Sequence, residues 1–124
     1  MNFDIQTEKV ADDVYVIALT GEIDLYTAPE FKQQLLDVVS QGAKSVVVDL
    51  TETTFIDSTT LGVLVGGVKR LRETGGQLSI VSSDRNITKI FEITGLNRVF
   101  PLHATRAEAL ESVGVDEATS RQPR

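Results

Sequence analysis

The run Ser45-Val46-Val47-Val48-Asp49-Leu50 sets the tightest limit on how this chain can fold. Three consecutive β-branched residues favour extended backbone. The run has no polar alternation, so it reads as a central strand covered on both faces. Such a strand needs helices from the flanking sequence to supply the two covering layers, which places the chain in the α/β class.

The flanks meet that requirement. Phe3-Asp4-Ile5-Gln6 alternates apolar and polar residues, and Val14–Leu19 gives a second strand; Ala11-Asp12-Asp13 is the turn of a hairpin between them. After Gly21-Glu22-Ile23-Asp24, Thr27 and Glu30 have capping-box spacing, with Tyr26 and Phe31 as the matching hydrophobic staple. Ala28, Phe31, Leu35, Val38 and Val39 then form one helical face, which Gly42 closes. Beyond the central strand a Thr-rich loop runs from Thr51 to Ile56. Leu61, Leu64, Val65, Val68 and Leu71 repeat at helical spacing until Thr74-Gly75-Gly76. Gln77–Val81 is the next strand, Asp84 caps a helix bearing Ile87, Ile90 and Phe91, and Val99-Phe100 reads as a short last strand. Thr105 and Glu108 repeat the capping-box spacing ahead of Ala109, Leu110 and Val113. The expectation is a mixed sheet of about four to five strands packed against about four helices. One domain covers residues 1–113, and residues 114–124 form a polar, disordered tail.

Composition narrows the function. A chain of 124 residues with 41% hydrophobic content has room for one cored domain. It contains no cysteine and one histidine, His103, which argues against disulfides, thiol chemistry and metal sites alike. No stretch reaches the ~18 apolar residues of a membrane span, and the N-terminus lacks the layout of a secretory signal. A cytoplasmic protein with no membrane insertion is expected. Residues 1–62 carry 3 basic and 11 acidic side chains, residues 63–124 carry 9 and 7. That surface is poor for nucleic-acid backbones, which need clustered Lys and Arg, but it can attract a basic protein.

The segment Asp57-Ser58-Thr59-Thr60-Leu61-Gly62 stands at the mouth of a helix. Its plainest reading is an N-cap, and one cap needs one residue where four candidates stand. A helix N-terminus also accommodates an anion, so a phosphate on Ser58 can be held there. In the same helix Gly62, Gly66 and Gly67 each cost about 1 kcal/mol relative to alanine. Close packing on the sheet, or a shallow surface covered by another protein, would account for them. Enzymatic arrangements fare worse. No serine sits in Gly-x-Ser-x-Gly, there is no phosphate-binding loop, and Asp12 and Asp13 precede a strand, where they cannot join Asp49 in a receiver-type metal site. No cofactor is expected, and the protein is not expected to be an enzyme.

Gly21-Glu22-Ile23-Asp24, Val47-Val48-Asp49-Leu50 and Phe55-Ile56-Asp57-Ser58-Thr59-Thr60-Leu61-Gly62, followed by Gly75-Gly76 and Ile90–Leu96, resemble the STAS domain of bacterial anti-sigma factor antagonists. The resemblance runs over roughly residues 3 to 113. It implies a protein whose unmodified form binds an anti-sigma factor that is also a serine kinase, releasing the sigma factor, as in stress-response partner switching. It implies Ser58 as the phospho-acceptor, a phosphatase that resets it, and Asp24, Asp57, Ser58 and Thr59 as partner-binding residues. Thr60 stands where the family commonly has Gly, which puts β-branched bulk beside the acceptor and leaves Thr59 and Thr60 as alternative phospho-acceptors. The alternative is a non-switching STAS regulatory subunit of a membrane transport complex. A monomer or weak dimer is expected.

Overall fold

The computed structural model describes residues 3–115. Two strands open the chain as an antiparallel hairpin, β1 (Phe3–Ala11) and β2 (Val14–Ile23), paired from Phe3↔Gly21 to Ala11↔Val14. Then come α1 (Ala28–Ser40), β3 (Ser45–Asp49), β4 (Thr53–Ile56), α2 (Ser58–Glu73), β5 (Gln77–Val81) and α3 (Arg85–Ile93). A single 3-10 turn at Leu96–Arg98 leads to β6 (Leu102–His103) and α4 (Arg106–Ser112). The strands line up as β1-β2-β3-β5-β6, and β4 also pairs with β2. Every pairing except the hairpin is parallel.

The valine run is the central strand its sequence implies. Val46 and Val48 face the main core with Phe31, Leu35, Leu64, Val68 and Leu71 of α1 and α2. Val47 points the other way, into a smaller core with Val14, Val16, Val81, Ala109 and Leu110. Successive side chains of a strand alternate between faces, and here both faces are covered. Gly114 and Val115 complete the end of α4: their N–H groups donate to the carbonyls of Glu111 (3.0 Å) and Leu110 (2.9 Å), the pairing of a Schellman cap. The remainder of the expected tail, residues 116–124, lies outside the described residues.

Two elements differ from the sequence-based expectation. Val99-Phe100 is not a strand. Phe100 follows the 3-10 turn into the core and meets Phe91 edge-to-face at 6.1 Å, and the last strand forms two residues later at Leu102–His103. The Thr-rich loop contains β4, which brings the sheet to six strands. Its four residues alternate poorly: Thr53 and Ile56 are buried, Thr54 and Phe55 exposed. The buried Thr53 hydroxyl donates to the Leu19 carbonyl at 2.7 Å.

The three glycines of α2 divide by role. A Cβ on Gly67 would lie 2.4 Å from Leu35 Cδ2, so the glycine permits α1 and α2 to close on each other. A Cβ on Gly62 or Gly66 would meet nothing within 4 Å. Gly67→Ala should therefore destabilise the fold by about 1–3 kcal/mol through overpacking. Gly62→Ala and Gly66→Ala should each stabilise it by up to about 1 kcal/mol through helix propensity. Urea unfolding of the three variants checks the opposite signs.

Candidate functional site

The site begins with a strand pairing. Near its end β2 carries Gly21 at φ 93°, a conformation that favours glycine, and its register with β4 shifts there before resuming at Glu22↔Phe55 and Ile23↔Ile56. Asp24 and Asp57 each come directly after one member of that last pair. Two turns with acidic first residues therefore leave the sheet side by side, at the carboxyl ends of parallel strands.

Asp24 commits its carboxylate to its own turn. Oδ1 accepts from the N–H of Tyr26 at 2.9 Å and of Thr27 at 3.2 Å, and the Asp24 N–H donates to Thr27 Oγ1 at 2.8 Å. This Asx-type turn replaces the capping box expected of Thr27 and Glu30: Thr27 is the N-cap by position but makes no side-chain cap bond. The expected staple is absent as well, because Phe31 is fully buried while Tyr26 points outward.

The second turn distributes its four polar residues by role. Asp57 Oδ1 accepts from the Thr60 N–H at 3.1 Å and caps α2. Thr60 is fully buried, and its hydroxyl donates to the Ile23 carbonyl at 3.0 Å. Its bulk therefore lies under the helix and not beside Ser58, and the Thr60 hydroxyl is withdrawn from any role as an acceptor. Ser58 is exposed at the first helical position and its hydroxyl makes no hydrogen bond to any described residue. Thr59 is half-buried and lines a groove between α1 and α2. The structure thus brings Asp24, Asp57, Ser58 and Thr59 to one rim. Among the described residues no cluster of three or more His, Cys, Asp or Glu could hold a metal ion. Asp49, at the end of β3, accepts from the Thr51 N–H at 2.9 Å in a turn of its own. His103 lies on β6, separated from β2 by β3 and β5.

Sequence reasoning missed the apolar part of this rim. Leu25 is 61% exposed, Tyr26 80% and Phe55 47%, and all lie within three residues of the Ile23–Ile56 pair. Large apolar groups gathered on a surface mark an interaction site. The available signal was two bulky apolar residues inside a tight acidic turn. Assigning Tyr26 to a staple concealed it.

Comparison with known proteins gives the family. The STAS domain model matches residues 5–109, and the chain belongs to that family. It is similar to the anti-sigma-B factor antagonist of Staphylococcus epidermidis, 38% identical over 96 residues that make up 77% of this chain and 88% of that one. The crystal structure of an anti-sigma factor antagonist from Mycobacterium paratuberculosis superposes with a TM-score of 0.82 at 31% identity, over 90% of this chain and 93% of that one. The Bacillus cell fate determinant SpoIIAA in its phosphorylated form shares the fold, with a TM-score of 0.73 at 23% identity over 89% and 99% of the two chains.

The two hydroxyls of the second turn predict different costs. Thr60→Val strips the Ile23 carbonyl of a buried partner and should cost about 1–3 kcal/mol. Ser58→Ala breaks no bond and should fall within about 0.5 kcal/mol of the parent. Chemical denaturation of both variants measures the contrast.

Proposed function

We propose that this chain is a non-enzymatic anti-sigma factor antagonist of the cytoplasm, switched by phosphorylation of Ser58. The observation that carries the reading is the exposed Ser58 hydroxyl, unbonded among the described residues, at the first position of α2. In the unmodified form the rim docks onto an anti-sigma factor that is also a serine kinase. Tyr26, Leu25 and Phe55 supply apolar contact area there, with Tyr26 of a residue type enriched among interface anchors. Asp24 acts by holding the turn that presents Leu25 and Tyr26. Asp57 caps the helix that presents Ser58, and Thr59 completes the contact beside it.

Transfer of the γ-phosphoryl group of ATP to Ser58 Oγ leaves ADP and adds about −1.5 to −2 charge. The first-turn N–H groups of a helix and the positive end of its dipole tolerate that anion. The fold therefore survives while the interface gains negative charge and bulk. The added charge falls beside Asp57 on a half of the chain that already carries 11 acidic against 3 basic residues. A partner matched to the unmodified rim then dissociates, and a phosphatase restores the serine.

The test is intact-mass analysis after incubation with ATP and each candidate anti-sigma kinase of the same cell. One added phosphate mapping to Ser58, with loss of the complex, is the expected result; a stable complex with no modification sinks the switch. Ser58→Asp should weaken the complex at least about tenfold, about 1.4 kcal/mol. Ser58→Ala should bind normally but accept no phosphate. Tyr26→Ala should weaken binding by about 2 kcal/mol or more without changing the unfolding midpoint. Calorimetric titration of the three variants reads these effects.

A further inference from the structure

We propose that the groove between α1 and α2 binds a small amphipathic anion, an apolar chain ending in a carboxylate or comparable acid. The groove is half-open and offers about 460 Å³, within the ~300–1,000 Å³ range of small-ligand sites. Its walls are largely apolar: Leu25 and Leu36 on one side, Val63 on the other, with Gly62 and Gly66 leaving open gaps along the α2 wall. Two cations complete the lining, Lys32 from α1 and Arg70 from α2. Neither has an ion-pair partner among the described residues, although the chain as a whole carries a net charge of −6. Two free cations on an apolar groove of an acidic protein call for a ligand with a greasy body and a negative head.

The geometry sets its orientation. Gly67 and Leu35 touch; Lys32 stands three residues before that contact and Arg70 three residues after it, about 4.5 Å along each axis. The acid group sits between these two cations, and the chain runs past Gly66 and Gly62 toward Leu25 and Thr59 at the rim. Both walls are helices whose backbone groups are paired internally, so an extended peptide finds no ladder to join. The site stands on cavity shape and charge, independently of the phosphorylation proposed for Ser58.

Decanoate is the probe, titrated into the full chain by calorimetry, with decanol as the uncharged control and backbone-amide NMR shifts to locate it. Saturable binding of one decanoate per chain is expected, with shifts confined to α1, α2 and the turn at Leu25, and about tenfold weaker binding of decanol. Lys32→Glu combined with Arg70→Glu should weaken decanoate about tenfold or more. Gly66→Leu should abolish binding while melting at or above the parent temperature, which separates a filled groove from a failed fold. No saturation, equal affinity for decanol, shifts elsewhere, or unchanged binding by the variants overturns the proposal. So does absence of decanoate binding where the double charge reversal instead weakens the complex with the anti-sigma partner, since the groove is then a protein-docking surface.

Discussion

The pairing of Ile23 with Ile56 is the constraint on which the site depends. β3 pairs with β2 over Val14–Ala18, and after the turn at Leu50–Glu52 the chain returns to β2 further along, as β4. The Gly21 N–H donates to the Glu52 carbonyl at 3.0 Å, and the register shift beside Gly21 sets the phase of the Glu22–Phe55 and Ile23–Ile56 pairs. Thr60 then ties the first turn of α2 to the Ile23 carbonyl. A helix start that would otherwise be positioned only by its own cap is fastened to the end of the neighbouring strand. Fraying of the first turn breaks a buried hydrogen bond as well as a cap, so the direction in which Ser58 projects is held by two elements.

The same helix shows how one sequence feature can have two physical causes. Gly67 permits the approach of α1, and its replacement by any larger residue displaces Leu35. Gly62 and Gly66 relieve no crowding inside the domain, and their cost in helix propensity is not recovered there. Spacing alone cannot separate these cases, because all three lie in one apolar-periodic helix. The position of Leu35 on the facing helix decides between them.

Legible in the sequence was whatever a single periodic pattern determines. The valine run implied a strand covered on both faces, and Val47 does face opposite to Val46 and Val48. The four helices α1 to α4 are implied by their apolar spacing. Asp84 caps as expected, and Asp57 takes the α2 cap for which four adjacent residues stood as candidates. Thr105 also caps, accepting from the Glu108 N–H at 3.1 Å, while the Glu108 carboxylate reaches back one residue further than a capping box requires, to the Ala104 N–H at 3.3 Å. Illegible were the places where two local patterns compete for one side chain. Thr27 has the spacing of a capping box with Glu30 and also the spacing of a turn with Asp24, and the turn prevails. β4 was hidden for a related reason. Its four residues have no period of their own, and they become a strand only because β2 offers unpaired backbone beyond the reach of β3.

The candidate site itself was legible as a segment but not as a division of labour. Four adjacent polar residues at a helix start look interchangeable in sequence, yet the structure gives the capping bond to Asp57, the buried tie to Thr60 and the groove wall to Thr59. Ser58 is left with an exposed hydroxyl and no bond to lose among the described residues. Stability and surface chemistry therefore reside on different side chains of one turn. A charge placed on a capping or buried hydroxyl must be offset by rearrangement of the fold, since burying an unpaired ion costs several kcal/mol. A charge placed on Ser58 stays in solvent near the positive end of a helix, where the domain feels little and a docked surface feels most of it. Under the proposed switch, that separation lets charge be added at the surface without passing through an unfolded or refolded state.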